Sequence, residues 1–133
     1  PVSGNVHVTR YVVAQDVGRV INSACVRGQI QGAVAQSIGL SLYESMRFAE
    51  DGNIIEANLQ FYRLPLAVDI PRVEYVTMEQ ENSEGPFGAK GSGEAPVLLP
   101  AAVIANAVAD AIGKRITKIP ITPEDVLQAL AET

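Results

Sequence analysis

Gly85-Pro-Phe-Gly-Ala-Lys-Gly-Ser-Gly-Glu-Ala-Pro-Val-Leu-Leu-Pro100 is a glycine run with an apolar helix pattern after it. Glycines at 85, 88, 91 and 93 fall in quick succession and end on a carboxylate, Glu94. Glycine reaches φ > 0 and lets a ligand come close to the backbone. A glycine run ahead of a helix also leaves N–H groups free to hold an anion. A loop built only for phosphate gains nothing from a carboxylate at its end. Glu94 is therefore the candidate for chemistry, held beside an anionic group by backbone amides. The phosphate-loop alternative fails on spacing, because that pattern needs Gly-Lys-Ser/Thr and Lys90 is followed by Gly91.

Downstream, Pro100 suits the first turn of a helix and Gly113 its end. Residues 101–112 between them are apolar almost all round, which predicts a buried helix. Residues 116–121 read as a short strand, and Pro120 makes it an edge. Thr122-Pro-Glu-Asp125 is a capping pattern that opens a last helix. Upstream, residues 72–79 alternate as a strand, with Val73, Tyr75 and Thr77 on one face. Asp51-Gly52 signals a tight hairpin, and residues 58–71, with two prolines, an irregular crossing. Residues 6–16 read as the first strand, where His7, the sole histidine, occupies an exposed position.

Between that strand and the hairpin lies a helix over 25–44, capped by Asn22 or Ser23. Ile30, Val34, Ile38 and Leu42 form its apolar stripe. Gly28, Gly32 and Gly39 interrupt it, each at about 1 kcal/mol against Ala, so close packing on a sheet or a ligand is expected there. Gln29, Gly32, Ala33 and Gln36 share a face. That face either meets a ligand or holds its glutamines in solvent. The whole predicts an α+β fold: a two-layer sandwich of a mixed or antiparallel sheet with helices packed on one face.

The chain has 133 residues, 47% apolar and 19% charged, which suits one globular domain over 1–133. A net charge of −5 with no basic cluster argues against nucleic acid as a partner. Cys25 stands alone, so neither a disulfide framework nor a cysteine metal site is expected, and a reducing, cytoplasmic setting is. No signal peptide and no apolar run long enough to span a bilayer is read. The start at Pro1 suggests a piece of a longer chain.

Gly-Ala-Lys-Gly-Ser-Gly-Glu-Ala-Pro, followed by Ala-Ala-Val-Ile-Ala-Asn-Ala-Val-Ala-Asp-Ala-Ile-Gly, resembles the end of the molybdenum-binding subunit of the xanthine dehydrogenase and aldehyde oxidase family. Asp-Val-Gly-Arg-Val-Ile-Asn22 and Gly28-Gln29-Ile-Gln-Gly32 are similar to another stretch of that subunit. Ser23 stands where the family often has Pro, and Ala33 where it often has Gly. Residues 58–65 and 69–71 carry the likeness further. The resemblance implies that Glu94 is the active-site base, that Gln29 contacts the pterin, and that the backbone of Lys90, Gly91, Ser92 and Gly93 holds the cofactor. It implies no protein ligand to the metal. The cofactor would be molybdenum–molybdopterin, plain or as the cytosine dinucleotide, with iron–sulfur clusters and FAD on other chains or domains.

The implied activity is oxidative hydroxylation of an N-heterocycle or aldehyde with water-derived oxygen. The implied partners are the rest of the molybdenum subunit, the iron–sulfur and flavin parts and a small-molecule substrate. The isolated chain is expected to self-associate and to be inactive. Two bland readings stand beside these. Glu94 is then a first-turn acid favoured by the helix dipole, and the chain a non-catalytic α+β assembly module.

Overall fold

The computed structural model describes residues 3–80 and 84–132. Strand β1 (Tyr11–Asp16) leads through a turn into helix α1 (Ser23–Leu42), and strand β2 (Val73–Met78) follows after a long irregular crossing. Helices α2 (Ala95–Leu98), α3 (Pro100–Ile112) and α4 (Pro123–Ala131) complete the order. The α+β class read from the sequence stands. The two strands pair in parallel, Tyr11 opposite Val73 and Asp16 opposite Met78, with α1 lying in the connection between them.

Helix α1 begins as its sequence directs. Asn22 is extended, and its side chain accepts from the Cys25 N–H at 3.0 Å. The stripe of Ile30, Val34, Ile38 and Leu42 is buried, each residue worth about 1.5–3 kcal/mol. Val26 and Ile30 meet Val17, with Val13 and Val73 packed against them. Further along, Val34, Ile38 and Leu42 join Tyr11, Ile104, Val108, Ile121 and Val126 in the main core. Ser37 and Ser41 are buried too and return their hydroxyls to helix carbonyls one turn back. Gly39 has a packing reason: a Cβ there would meet the Glu44 carboxylate and stand 3.0 Å from Pro65 Cδ.

Several expectations change. The first strand covers only 11–16 of the predicted 6–16, because β2 begins at Val73, opposite Tyr11, and gives residues 6–10 nothing to pair with. The Asp51-Gly52 hairpin exists in miniature, with Ala49 N–H donating to Asn53 at 2.8 Å and one bridge between Phe48 and Ile54. Residues 116–121 are irregular instead of a strand. Pro120 has no N–H to give, and the segment docks through the Ile121 N–H on the Ser41 carbonyl at 2.7 Å. The capping box is present: Thr122 and Asp125 exchange side-chain-to-backbone hydrogen bonds at 3.0 and 3.3 Å.

Helix α3 is not buried all round. Only Pro100, Ile104 and Val108 are buried along it, while Val103, and Leu98 and Leu99 just before it, are exposed. Composition fixed its apolarity but not what covers it. The sequence expectation of no membrane-length run is also corrected: Ala95–Ile112 makes 18 residues at mean hydropathy 1.8. That run is broken at Leu99, between α2 and α3, and its inner stripe belongs to the core.

Candidate functional site

The turn after β1 and the glycine loop are laced together. Gly88 C=O accepts the Arg19 N–H at 2.9 Å, and the Lys90 N–H donates to Val17 C=O at 2.9 Å. Between these bonds Gly18 and Ala89 form an antiparallel bridge. Gly18 sits at φ 55, and a Cβ on it would lie 2.2 Å from the Gly88 oxygen. No other residue type fits there without strain. The sequence marks Gly18 only as a turn; its close approach to Gly88 depends on residues far along the chain.

The Lys90 ammonium pairs with the Asp16 carboxylate, which also accepts the Gly18 N–H at 2.8 Å. Lys90 thus anchors the loop both by its side chain and by its N–H. The Lys90 ammonium, and then the Gly18 N–H, hold the Asp16 carboxyl below the usual carboxylate range. A depressed pKa contributes stability above the unfolded value of about 4 that is lost as pH falls through the folded value. Asp16→Asn is expected to lower the urea midpoint at pH 7 and to converge with the parent below about pH 4. A gap that stays constant across that window would remove the ion pair from the loop's anchorage.

Beyond Lys90 the loop is open. The N–H groups of Gly91, Ser92 and Gly93 meet no acceptor among the described residues. A Cβ on Gly91 would touch nothing within 4 Å, and one on Gly93 would meet only Gln29 Oε1, at 3.8 Å. The fold thereby brings Gln29, at the start of α1, beside the glycine that precedes Glu94. Gly28 and Gly32 flank Gln29 with open space where a side chain would stand. Of the two expected neighbours, a sheet or a ligand, no sheet packs on them among the described residues; they border the same open face.

Glu94 is exposed and makes no side-chain cap bond. Helix α2 after it has only four residues, too few for a substantial dipole. The helix-dipole reading of Glu94 loses its main support. Phe87 enters the loop unannounced: it is a non-glycine residue at φ 54 and is 83% exposed. Such a conformation costs about 1 kcal/mol or more.

A flat anionic group with hydrogen-bonding edges fits this cradle of free amides, a carboxamide and missing side chains. No cluster of three His, Cys, Asp or Glu side chains suited to a metal occurs among the described residues.

Residues 1–71 match the model of a molybdopterin cofactor-binding domain. The chain is 40% identical over 129 residues to the 6-hydroxypseudooxynicotine dehydrogenase complex subunit gamma of Paenarthrobacter nicotinovorans, covering 95% of this chain and 16% of that one. It is 33% identical to the putative xanthine dehydrogenase molybdenum-binding subunit of Escherichia coli K12, over 90% of this chain and 16% of that one. Among solved structures, the aldehyde oxidoreductase from Desulfovibrio gigas superposes with a TM-score of 0.88 at 36% identity, over 98% of this chain and 14% of that one. The chain thus spans about one-sixth of the length of the relatives it matches.

Proposed function

The chain belongs to the molybdenum-binding subunits of the xanthine dehydrogenase and aldehyde oxidase family, and on that premise we propose that its open face is one wall of the active site. The supporting observation is the meeting of Gln29 with Gly93, next to Glu94, on a surface with three amides that meet no acceptor among the described residues. In this reading the amides of Gly91, Ser92 and Gly93 and the Gln29 carboxamide hold the pterin, plain or as its cytosine dinucleotide. The molybdenum–pterin group, when bound, supplies the two-electron oxidation. Glu94 accepts the proton released as water-derived oxygen is transferred to substrate. Its exposure in this chain assigns the exclusion of water to the rest of the subunit. Relatives named for nicotine, quinoline and aldehydes support an N-heterocycle or aldehyde as substrate. Electrons leave to iron–sulfur and flavin centres on other chains or domains. The isolated chain is inactive and self-associates through the uncovered Leu98, Leu99 and Val103.

Gln29 gives the direct test of the cofactor contact. Removing a side chain that pairs with a buried group costs about 1–3 kcal/mol. Gln29→Ala in the complete enzyme is expected to lower pterin occupancy or turnover by roughly tenfold to a hundredfold. Unchanged molybdenum content with unchanged turnover would return Gln29 to solvent and remove the cofactor wall.

A further inference from the structure

Of the buried polar side chains Gln15, Ser37, Ser41 and Glu56, the last three are hydrogen-bonded and Gln15 is not. Its Nε2 and Oε1 are both sealed from solvent without a partner. Buried polar groups in native proteins are paired. A sealed amide admits neither a ligand nor water, so its partner has to come from the protein packed around it. On one flank that protein is apolar: Val13 and Val17, two residues before and after Gln15, meet Val26 and Ile30 of α1. On the other flank Gln15 lines a cavity of about 170 Å³ with Ala95, Pro96 and Leu99, at the start of α2. That start is uncapped. Glu94 makes no side-chain cap bond, Pro96 has no N–H, and the Ala95 N–H meets no acceptor among the described residues. An amide short of a donor thus stands beside a helix start short of an acceptor, and that helix start carries Glu94.

We propose that Gln15 is a positioning residue for Glu94: in the loaded enzyme the start of α2 settles onto β1, the Ala95 N–H donates to Gln15 Oε1, and Nε2 donates to a main-chain carbonyl of the same turn. This rests on the reading of Glu94 as the base. Gln15 touches neither substrate nor cofactor; it acts through the peptide that follows Glu94. Its carboxamide oxygen takes the part of an N-cap acceptor, supplied from a strand instead of from the residue before the helix. The movement required is local. A Cβ on Gly91 would touch nothing within 4 Å and one on Gly93 only Gln29 Oε1, at 3.8 Å, so the backbone ahead of Glu94 has room to turn. Helix α2 is separate from α3, so it can tilt while Ile104 and Val108 of α3 keep their places in the core. A base has to be held within hydrogen-bond reach of its target. Fixing the peptide next to it supplies that hold.

The test combines Gln15→Met with Glu94→Gln in the complete enzyme, read by amide exchange, urea midpoint and single-turnover reduction by substrate. Gln15→Met keeps the size and removes both polar atoms. In the loaded parent the Ala95 amide is expected to exchange at least about tenfold more slowly than unstructured chain, and Gln15→Met to restore most of that rate while Val97 stays slow. The variant is expected to lower the urea midpoint, because the Ala95 N–H is left without an acceptor. It is expected to slow reduction about tenfold with molybdenum content and substrate affinity unchanged. In the Glu94→Gln background the same substitution is expected to change the rate by less than about twofold, because the base it positions is already gone. Ala95 exchanging at the unstructured rate in the loaded parent would overturn the proposal, whether or not the variant folds. A Gln15→Met enzyme with a raised midpoint and the parental rate would overturn it too, since it shows an amide that never had a partner. An equal loss of rate in both backgrounds would show that Gln15 acts elsewhere than through Glu94, and would also overturn it. Failure of the base reading is distinct: Glu94→Gln alone then reduces at a near-normal rate while Ala95 keeps its Gln15-dependent protection.

Discussion

Glu94→Gln in the complete enzyme is expected to lose roughly 10²–10⁴-fold in turnover while keeping fold, molybdenum and pterin. Gln reproduces the shape of Glu but accepts no proton at working pH. The side chain has no hydrogen bond to lose among the described residues, so the exchange leaves the loop in place. If Glu94 served only as a surface charge ahead of α2, its neutralisation would cost well under about 1 kcal/mol and leave turnover alone. Glu94→Asp is expected to recover little, because the shorter arm withdraws the oxygen from its target and small misplacements are costly in rate. The decisive measurement is the rate at which substrate reduces the fully loaded enzyme in a single turnover. A near-normal rate for Glu94→Gln would end the assignment of Glu94 as base.

What the sequence disclosed was whatever depends on near neighbours. The stripe of α1 is legible because Ile30, Val34, Ile38 and Leu42 repeat at the helical period, and all four are buried. Asn22 and the Thr122–Asp125 box are legible because capping is settled within four residues. Strand pairing is not of that kind. The parallel register of β1 with β2 joins residues some sixty apart, and nothing in either strand announces its direction. The exposure of α3 was hidden for a related reason: an apolar helix is the same sequence whether its cover lies in this chain or in the rest of the subunit. At the site, Glu94 was legible as the acid that ends the glycine run and Gln29 as part of a helix face, while the roles given to them came from resemblance. Their approach through Gly93, and the diversion of Lys90 to Asp16, came only from the fold.

Gly18→Ala is expected to cost about 2–4 kcal/mol of stability. Two costs combine. Alanine at φ 55 pays about 1–2 kcal/mol for the left-handed conformation. Its Cβ would also stand 2.2 Å from the Gly88 oxygen, a backbone atom that cannot rotate away. The loop has to lift, stretching the Arg19-to-Gly88 and Lys90-to-Val17 bonds, each worth about 0.5–1.5 kcal/mol. Gly88→Ala is the control. It too has positive φ, but its Cβ would find its nearest atom 3.9 Å away, so it bears the conformational cost without the clash. The two variants therefore separate strain from displacement. In the complete enzyme Gly18→Ala should also reduce turnover by about a hundredfold, because a loop lifted by about 1 Å carries Glu94 with it. Gly88→Ala should keep most of the activity. Urea midpoints and turnover measured side by side decide the matter. Equal losses in the two variants would mean that the lacing of the glycine loop onto the β1 turn does not position Glu94.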